Sequence, residues 1–260
     1  MRTRATVATA LAALAVSALA VPVAQADDGA GDTTISNVVV NGGKPVVVGA
    51  TTTKRITVSF TVKDPSGVKN AMALLWHGTT FDTSDSGAVA NTSNHYSVCT
   101  AVSATTSTCK ATYDLKPRYN AVDQVAGYWK VWALASGKDA DFVQKDNVKT
   151  FKLQRLSRLA AANASPEPVR KGKTLTVTSK LTRASWNYAN YGNFSSQYVK
   201  LQYKKKGATA WSTLKTVKSS STGALSTTTT ATYDGYYRFS YAGITTSSSA
   251  VSAADYIDVQ

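Results

Sequence analysis

The sequence predicts an all-β protein made of two tandem β-sandwich domains behind a cleaved export signal, and three observations carry that reading. After residue 26, apolar and polar residues alternate along nearly the whole chain, with Thr, Val and Tyr enriched at the alternating positions. Gly, Pro, Ser and Asp clusters break this pattern at short intervals, as "NGGKP", "KDPSG", "KKKGAT" and "YDGY" do. A weak internal repeat also places similar strand patterns in both halves.

The first 26 residues, "MRTRATVATALAALAVSALAVPVAQA", have the three parts of a secretory signal peptide. Arg2 and Arg4 form the basic end, Val7 to Ala20 the apolar run, and Ala24-Gln25-Ala26 the small-residue cleavage site. The apolar run is shorter than the roughly 20 residues a membrane span requires, and no later stretch approaches that length. The expected mature chain has no transmembrane segment and is secreted, as an extracellular or cell-wall-associated protein.

In the first half, "TTISNVVVNGG", "KRITVSFTV", "YWKVWAL" and "NVKTFKLQRL" read as strands; in the second, "KTLTVTSKLT", "YVKLQYKKK", "WSTLKTVKS", "ALSTTTTATY" and "YYRFSYAG" do. No segment sustains a helical period over three turns. "KRITVSFTVKD" from Lys54 matches "KTLTVTSKLTR" from Lys173, and "AGYWKVWA" from Ala126 lines up with "DGYYRFSY" from Asp234. The boundary falls in the proline-bearing "LSRLAAANASPEP". The expected division is residues 27–155 for the first domain, 156–168 for a linker and first strand region, and 169–260 for the second domain.

Export permits a disulfide. Cys99 and Cys109 are the only cysteines, and "YSVCTAVSATTSTCKATY" reads as a hairpin with one cysteine on each strand. A bridge there removes about 3 kcal/mol of unfolded-state entropy. A zinc site needs more ligands than His77 and His95 offer at this spacing, and a redox pair is more usually C-x-x-C.

Charge is lopsided. The expected mature chain has 27 basic and 15 acidic side chains; residues 156–260 hold 13 basic and 4 acidic ones. A basic second domain favours an anionic partner, here an anionic cell-surface polymer, with an extracellular protein as the alternative. Nucleic acid is the lesser candidate because an exported protein meets wall polymers more often.

"NASPEPVRKGKTLTVTSKLTRASW", "YVKLQYKKKG" and "DGYYRFSYAG" resemble the immunoglobulin-like domain of many secreted actinomycete proteins of unassigned role, and the first half is similar to their partner domain. The resemblance implies two immunoglobulin-like sandwiches. Some of these proteins carry a calcium-binding label. The resemblance also implies a corner role for Tyr237, its hydroxyl bonding back to the preceding turn. "CTAVSATTSTC" is similar in span to a hairpin of secreted enediyne-carrying apoproteins, which have a second disulfide and a single domain.

No catalytic residues are expected. His77 in "LLWHGTTFD" has Asp82 nearby, but no nucleophile elbow accompanies it, and the acids of the second half are too few for a paired-carboxylate cleft. Two binding surfaces are candidates. The loops "VKDPSGV" and "SGKDADFVQKDN" should emerge at one end of the first sandwich, bringing Asp64, Asp139, Asp141 and Asp146 together as oxygen ligands for calcium. The stretch "RASWNYANYGNFSSQY" is expected as a loop of the second sandwich. Its Trp186, Tyr188 and Tyr191 would join Lys204, Lys205 and Lys206 in a basic, aromatic ligand surface. The function predicted is that of a secreted, non-enzymatic binding or structural protein at the cell surface or extracellular matrix. A calcium-binding extracellular module and an assembly component or inhibitor are the alternatives.

Overall fold

The computed structural model describes residues 28–260; the expected export signal lies outside the described residues. The chain forms two immunoglobulin-like sandwiches. The first contains β1 (Asp28–Ala30), β2 (Thr34–Val40), β3 (Val46–Val48), β4 (Lys54–Lys63), β5 (Val68–His77), β6 (Ser86–Ala88), β7 (Val98–Ser103), β8 (Thr106–Leu115), β9 (Gly127–Gly137) and β10 (Phe142–Arg155). One sheet runs β1-β10-β9-β5-β6, with β3 parallel to β10; the other runs β2-β4-β8-β7. Ile56, Val58, Phe60 and Val62 of β4 face Trp129, Val131, Ala133 and Ala135 of β9 across one core. Strict alternation selects those faces: the residues between them on β4 are exposed or half-buried.

The second sandwich contains β11 (Ser157–Leu159), β12 (Asn163–Ser165), β13 (Thr174–Ser185), β14 (Asn190–Asn193), β15 (Tyr198–Lys205), β16 (Ser212–Lys218), β17 (Ala224–Thr230), β18 (Gly235–Tyr241), β19 (Ala250–Val251) and β20 (Asp255–Ile257). β13 pairs with β11, β12, β14 and β17, while β15 lies between β16 and β18, and β18 also pairs with β19 and β20. The repeat seen in the sequence is structural. β4 and β13 occupy matching places, as do β9 and β18, and each is central in its sheet. Both domains also pair an early segment in parallel with a late one, Val46↔Leu153 of β10 in the first and an isolated Val169↔Val259 bridge just after β20 in the second.

Residues 156–168 carry β11 and β12, both on the second domain's sheet. Strand takes up part of each of two expected loops, leaving only the turns 138–141 and 186–189 and the short segment 194–197. Asp146 sits within β10, at a register shift between Lys145 and Lys149. The stretch 183–198 forms a hairpin in which β14 folds back on β13 (Thr182↔Asn193, Ser185↔Asn190).

That hairpin seals the domain junction. Trp186 is fully buried and packs in the first domain's core with Ala184. Its indole Nε1 donates to the Val48 carbonyl at 3.2 Å. Asp123, in a one-turn helix over Asp123–Val125, accepts from Trp186 N at 2.6 Å and from Ser185 Oγ at 2.8 Å. Arg155 Nη2 lies 3.0 Å from the same carboxylate, and Arg155 Nε donates to the Ala184 carbonyl at 2.6 Å. Burial and the neighbouring Arg183 charge push the Arg155 guanidinium down to about 10.

Candidate functional site

The acidic end of the first sandwich forms where tight turns close β4–β5 and β9–β10. Asp64 follows β4 and is buried. Its carboxylate accepts from Thr33 Oγ1 at 2.5 Å, Ser66 Oγ at 2.5 Å and Ser66 N at 2.9 Å. The Ser66 hydroxyl and then the Thr33 hydroxyl hold Asp64 below the usual carboxylate range. Asp141, just before β10, accepts from the backbone N–H of Asp32 at 3.1 Å. One carboxylate oxygen each from Asp32, Asp64 and Asp141 lies within 4.8 Å of the others. Gly31 and Gly137 make this approach possible: a Cβ at Gly31 would overlap the Asp141 carboxylate, and one at Gly137 the Asp64 carboxylate.

Two expected calcium ligands, Asp64 and Asp141, therefore come together. Asp139 stands beside them and accepts from Asp141 N at 3.2 Å. Asp146 does not join them: it belongs to the bulged part of β10, where its carbonyl accepts from Trp76 Nε1 at 2.8 Å. Asp32 is the member that sequence reading missed. Pairing of β1 with β10 (Ala30↔Phe142) delivers it, and no loop motif marks it. Partial desolvation and the charges of Asp141, Asp64 and Asp139 push the Asp32 carboxyl up. Three hard oxygen donors with mutual repulsion suit a divalent cation such as calcium.

The expected aromatic and lysine surface does not form as one unit. Trp186 is the buried plug of the junction and offers no ring face to a ligand. Tyr188 is exposed on the hairpin turn, and Tyr191 lies under the Arg158 guanidinium, 3.6 Å from ring centroid to Cζ. Lys204, Lys205 and Lys206 lie at the opposite end of β15, about 20 Å along the strand from Tyr198 at 3.3 Å per residue.

The lysines have other aromatic neighbours, on the outer face of the β15–β18 sheet. Register places Lys204 beside Tyr236 and Tyr236 beside Tyr256. Lys204 Nζ lies 5.2 Å from the Trp211 ring centroid and 5.1 Å from that of Tyr236. The Arg238 guanidinium stacks on Trp211 at 3.9 Å and donates from Nε to Gln202 Oε1 at 2.9 Å. Lys206 lies 5.4 Å from the Tyr256 ring. At the edge of this face, Lys171, Lys205 and Lys206 border a hollow of about 380 Å³ with Tyr233 and Asp234, and Lys205 sits 4.3 Å from the Tyr233 ring. Each Lys or Arg head is held against a ring, and Lys206 Nζ also pairs with Asp234 Oδ2 at 3.5 Å. The signal available in the sequence was alternation: Lys204, Tyr236, Arg238 and Tyr256 all fall on outward positions.

His77 ends β5 with Nδ1 2.6 Å from Asp85 Oδ1, so the acid it meets is Asp85 and not Asp82, its neighbour in sequence. Tyr237 is buried, but the hydroxyl that bonds the turn before β18 belongs to Tyr203, which donates to the carbonyls of Tyr233 and Asp234 at 3.0 and 3.1 Å. In the first domain Trp129 fills the matching place, and its Nε1 donates to the Val125 carbonyl at 2.7 Å. Cys99 and Cys109 are disulfide-bonded and directly opposed across β7 and β8. Among the described residues no helix is long and apolar enough to cross a membrane.

Solved structures with a similar fold include a marsupial T cell receptor, 11% identical with a TM-score of 0.35, covering 87% of this chain and 73% of that one. Domains from titin match at 12% identity and a TM-score of 0.30, covering 90% of this chain and 68% of the other. The D00-D0 domain of intimin matches at 16% and 0.29, covering 86% and 99%. These likenesses say nothing of ligand or partner. No curated protein matches. Residues 46–135, from β3 into β9, match the model of a family of unknown function, DUF5707.

Proposed function

We propose that this protein is a secreted, non-enzymatic binding protein acting at the cell surface or extracellular matrix, and that its second sandwich holds an anionic polymer. The observation that carries the reading is the row of ring-backed cations on the outer face of the second sandwich, Lys204 between Trp211 and Tyr236 with Arg238 stacked on Trp211. A strand face presents such groups at fixed spacing, which suits a repeating polymer better than a compact ligand. The charge excess of residues 156–260 supplies the long-range attraction. The disulfide and the expected export signal support an extracellular site of action.

The test is co-sedimentation of residues 27–260 with purified bacterial cell walls at low and high salt, beside a Lys204→Ala, Arg238→Ala double variant. The reading expects pelleting that weakens steeply with salt and is reduced in the variant. Equal pelleting of both proteins under all conditions would overturn it. A second reading, a calcium-binding extracellular module, is favoured by the convergence of Asp32, Asp64 and Asp141. Its test is calorimetric titration of the chelator-treated protein with calcium, with Asp141→Asn as the variant that should lose the heat of binding.

A further inference from the structure

We infer that β7 is a self-complementary edge through which two copies of this chain join their β2-β4-β8-β7 sheets into one continuous sheet. Exposed sheet edges in natural proteins are blunted by bulges, charges or shortness. The other edges of the first domain follow that rule. β1 and β6 are three residues long, and β2 carries a register shift between Ser36 and Val39 with Asn37 at φ 52°. The edge strand β16 of the second domain carries Lys215 and Lys218. β7 has no charged residue and no proline, and its one register shift, at Val102 between Ala101 and Ser103, falls at the hairpin end, at the outermost position of the seam.

The ladder shows which backbone groups are open. Cys99 and Cys109 are opposed with their Cα atoms 3.9 Å apart, the close spacing of a non-hydrogen-bonded pair. Val98 and Thr100 therefore direct their backbone groups to β8, and Cys99 and Ala101 direct theirs to the free edge. The disulfide fastens the strand that presents them.

The side chains select the occupant. Val98, Thr100 and Val102 share the outer face and line a shallow hollow with Thr108 and Lys110; Val98 is 65% exposed and Val102 69%. The segment reads nearly the same in both directions about Thr100. An antiparallel second β7, related by a two-fold axis at Thr100, sets Cys99 against the second copy's Ala101 as hydrogen-bonded pairs. It also sets Val98 against the second copy's Val102, and Thr100 against itself. Each of these outer-face pairings is favourable in an antiparallel sheet. No charge meets a like charge, because Lys110 flanks Val98 at one end of each strand and the two-fold axis sends the two lysines to opposite ends. An isologous contact of this kind closes on itself and gives a dimer.

Sedimentation equilibrium of the mature chain across a broad concentration range tests this, with Thr100→Lys and Thr57→Lys as variants. Thr57 is exposed on β4 of the same sheet face and lies off the seam. The expected result is a dimer whose dissociation constant rises about tenfold or more in Thr100→Lys and is unchanged in Thr57→Lys. A monomer at every concentration overturns the inference. So does a dimer that Thr100→Lys leaves intact, which would place the contact elsewhere. Circular dichroism melts of both variants confirm that the comparison is made between folded proteins.

Discussion

The carboxylate of Asp123, in the first sandwich, accepts the backbone N–H of Trp186, in the second, at 2.6 Å, while the Trp186 ring lies in the first sandwich's core. The same carboxylate holds Ser185 Oγ and Arg155, so one acid ties the end of β13 to the end of β10. Relative domain motion is the usual state of tandem domains with small polar contacts, and a core residue shared across the junction opposes it.

Trp186→Ala should cost about 3–5 kcal/mol, the range for truncating a buried large aromatic residue. Asp123→Ala should cost about 2–3 kcal/mol, less than for a fully buried pair because both partners keep some water contact. Urea unfolding followed by tryptophan fluorescence and by circular dichroism checks both. The wild type should unfold in one coincident transition, and Trp186→Ala should separate the two probes as the domains uncouple.

The acidic cluster sets a pH dependence of two signs. Hydroxyl donors depress Asp64, so its stabilisation is present above the ordinary carboxylate value and is lost as the pH falls below about 4. Asp32 is raised, so its ionised form is disfavoured in the folded state and its penalty appears as the pH rises through its folded value. Asp32→Asn should therefore raise the melting temperature at pH 7 in chelator and leave it unchanged near pH 3. A calcium ion would neutralise the repulsion, so added calcium should stabilise the wild type more than the variant at pH 7.

Much of this architecture was legible in the sequence, because burial on one face forces period-two alternation and β4, β9, β13 and β18 all show it. The cysteine hairpin was legible because the expected export signal and the spacing leave few alternatives. The junction was not. Trp186 stands among Asn and Tyr in a turn, a local pattern that reads as a surface, and only the neighbouring domain's core buries it. Asp32 was hidden for a related reason: β1–β10 pairing brings it to Asp141 across 109 residues of chain, and β2–β4 pairing brings it to Asp64. The ring-backed cations come from separate strands, so the lysine run was visible and its partners Tyr236 and Tyr256 were not assigned to it.

The two domains close their corners with different side chains, and this gives a paired test. Tyr203→Phe removes a hydroxyl bonded to two carbonyls and should cost about 1–2 kcal/mol. Trp129→Phe removes the Nε1 bond to Val125 and also leaves unfilled volume in the core, so it should cost about 2–4 kcal/mol. Thermal melts of the two variants should rank in that order; the reverse order would mean that the second domain's corner carries more of the stability.

The disulfide fastens the outermost strand of its sheet, which has ladder hydrogen bonds on one side only. Replacing both cysteines, Cys99→Ala with Cys109→Ala, should lower stability by about 2–3 kcal/mol through the released loop entropy. The loss should also be local. In hydrogen exchange, amides of β7 that bond to β8, those of Val98 and Thr100, should lose protection first, while the β4–β8 ladder keeps its own. A uniform loss across the first sandwich would instead mean that the bridge supports the core through Cys109, which is fully buried against Phe60. The same variant separates edge order from edge chemistry: with Thr100 intact but β7 loosened, self-association should weaken in proportion to the lost protection.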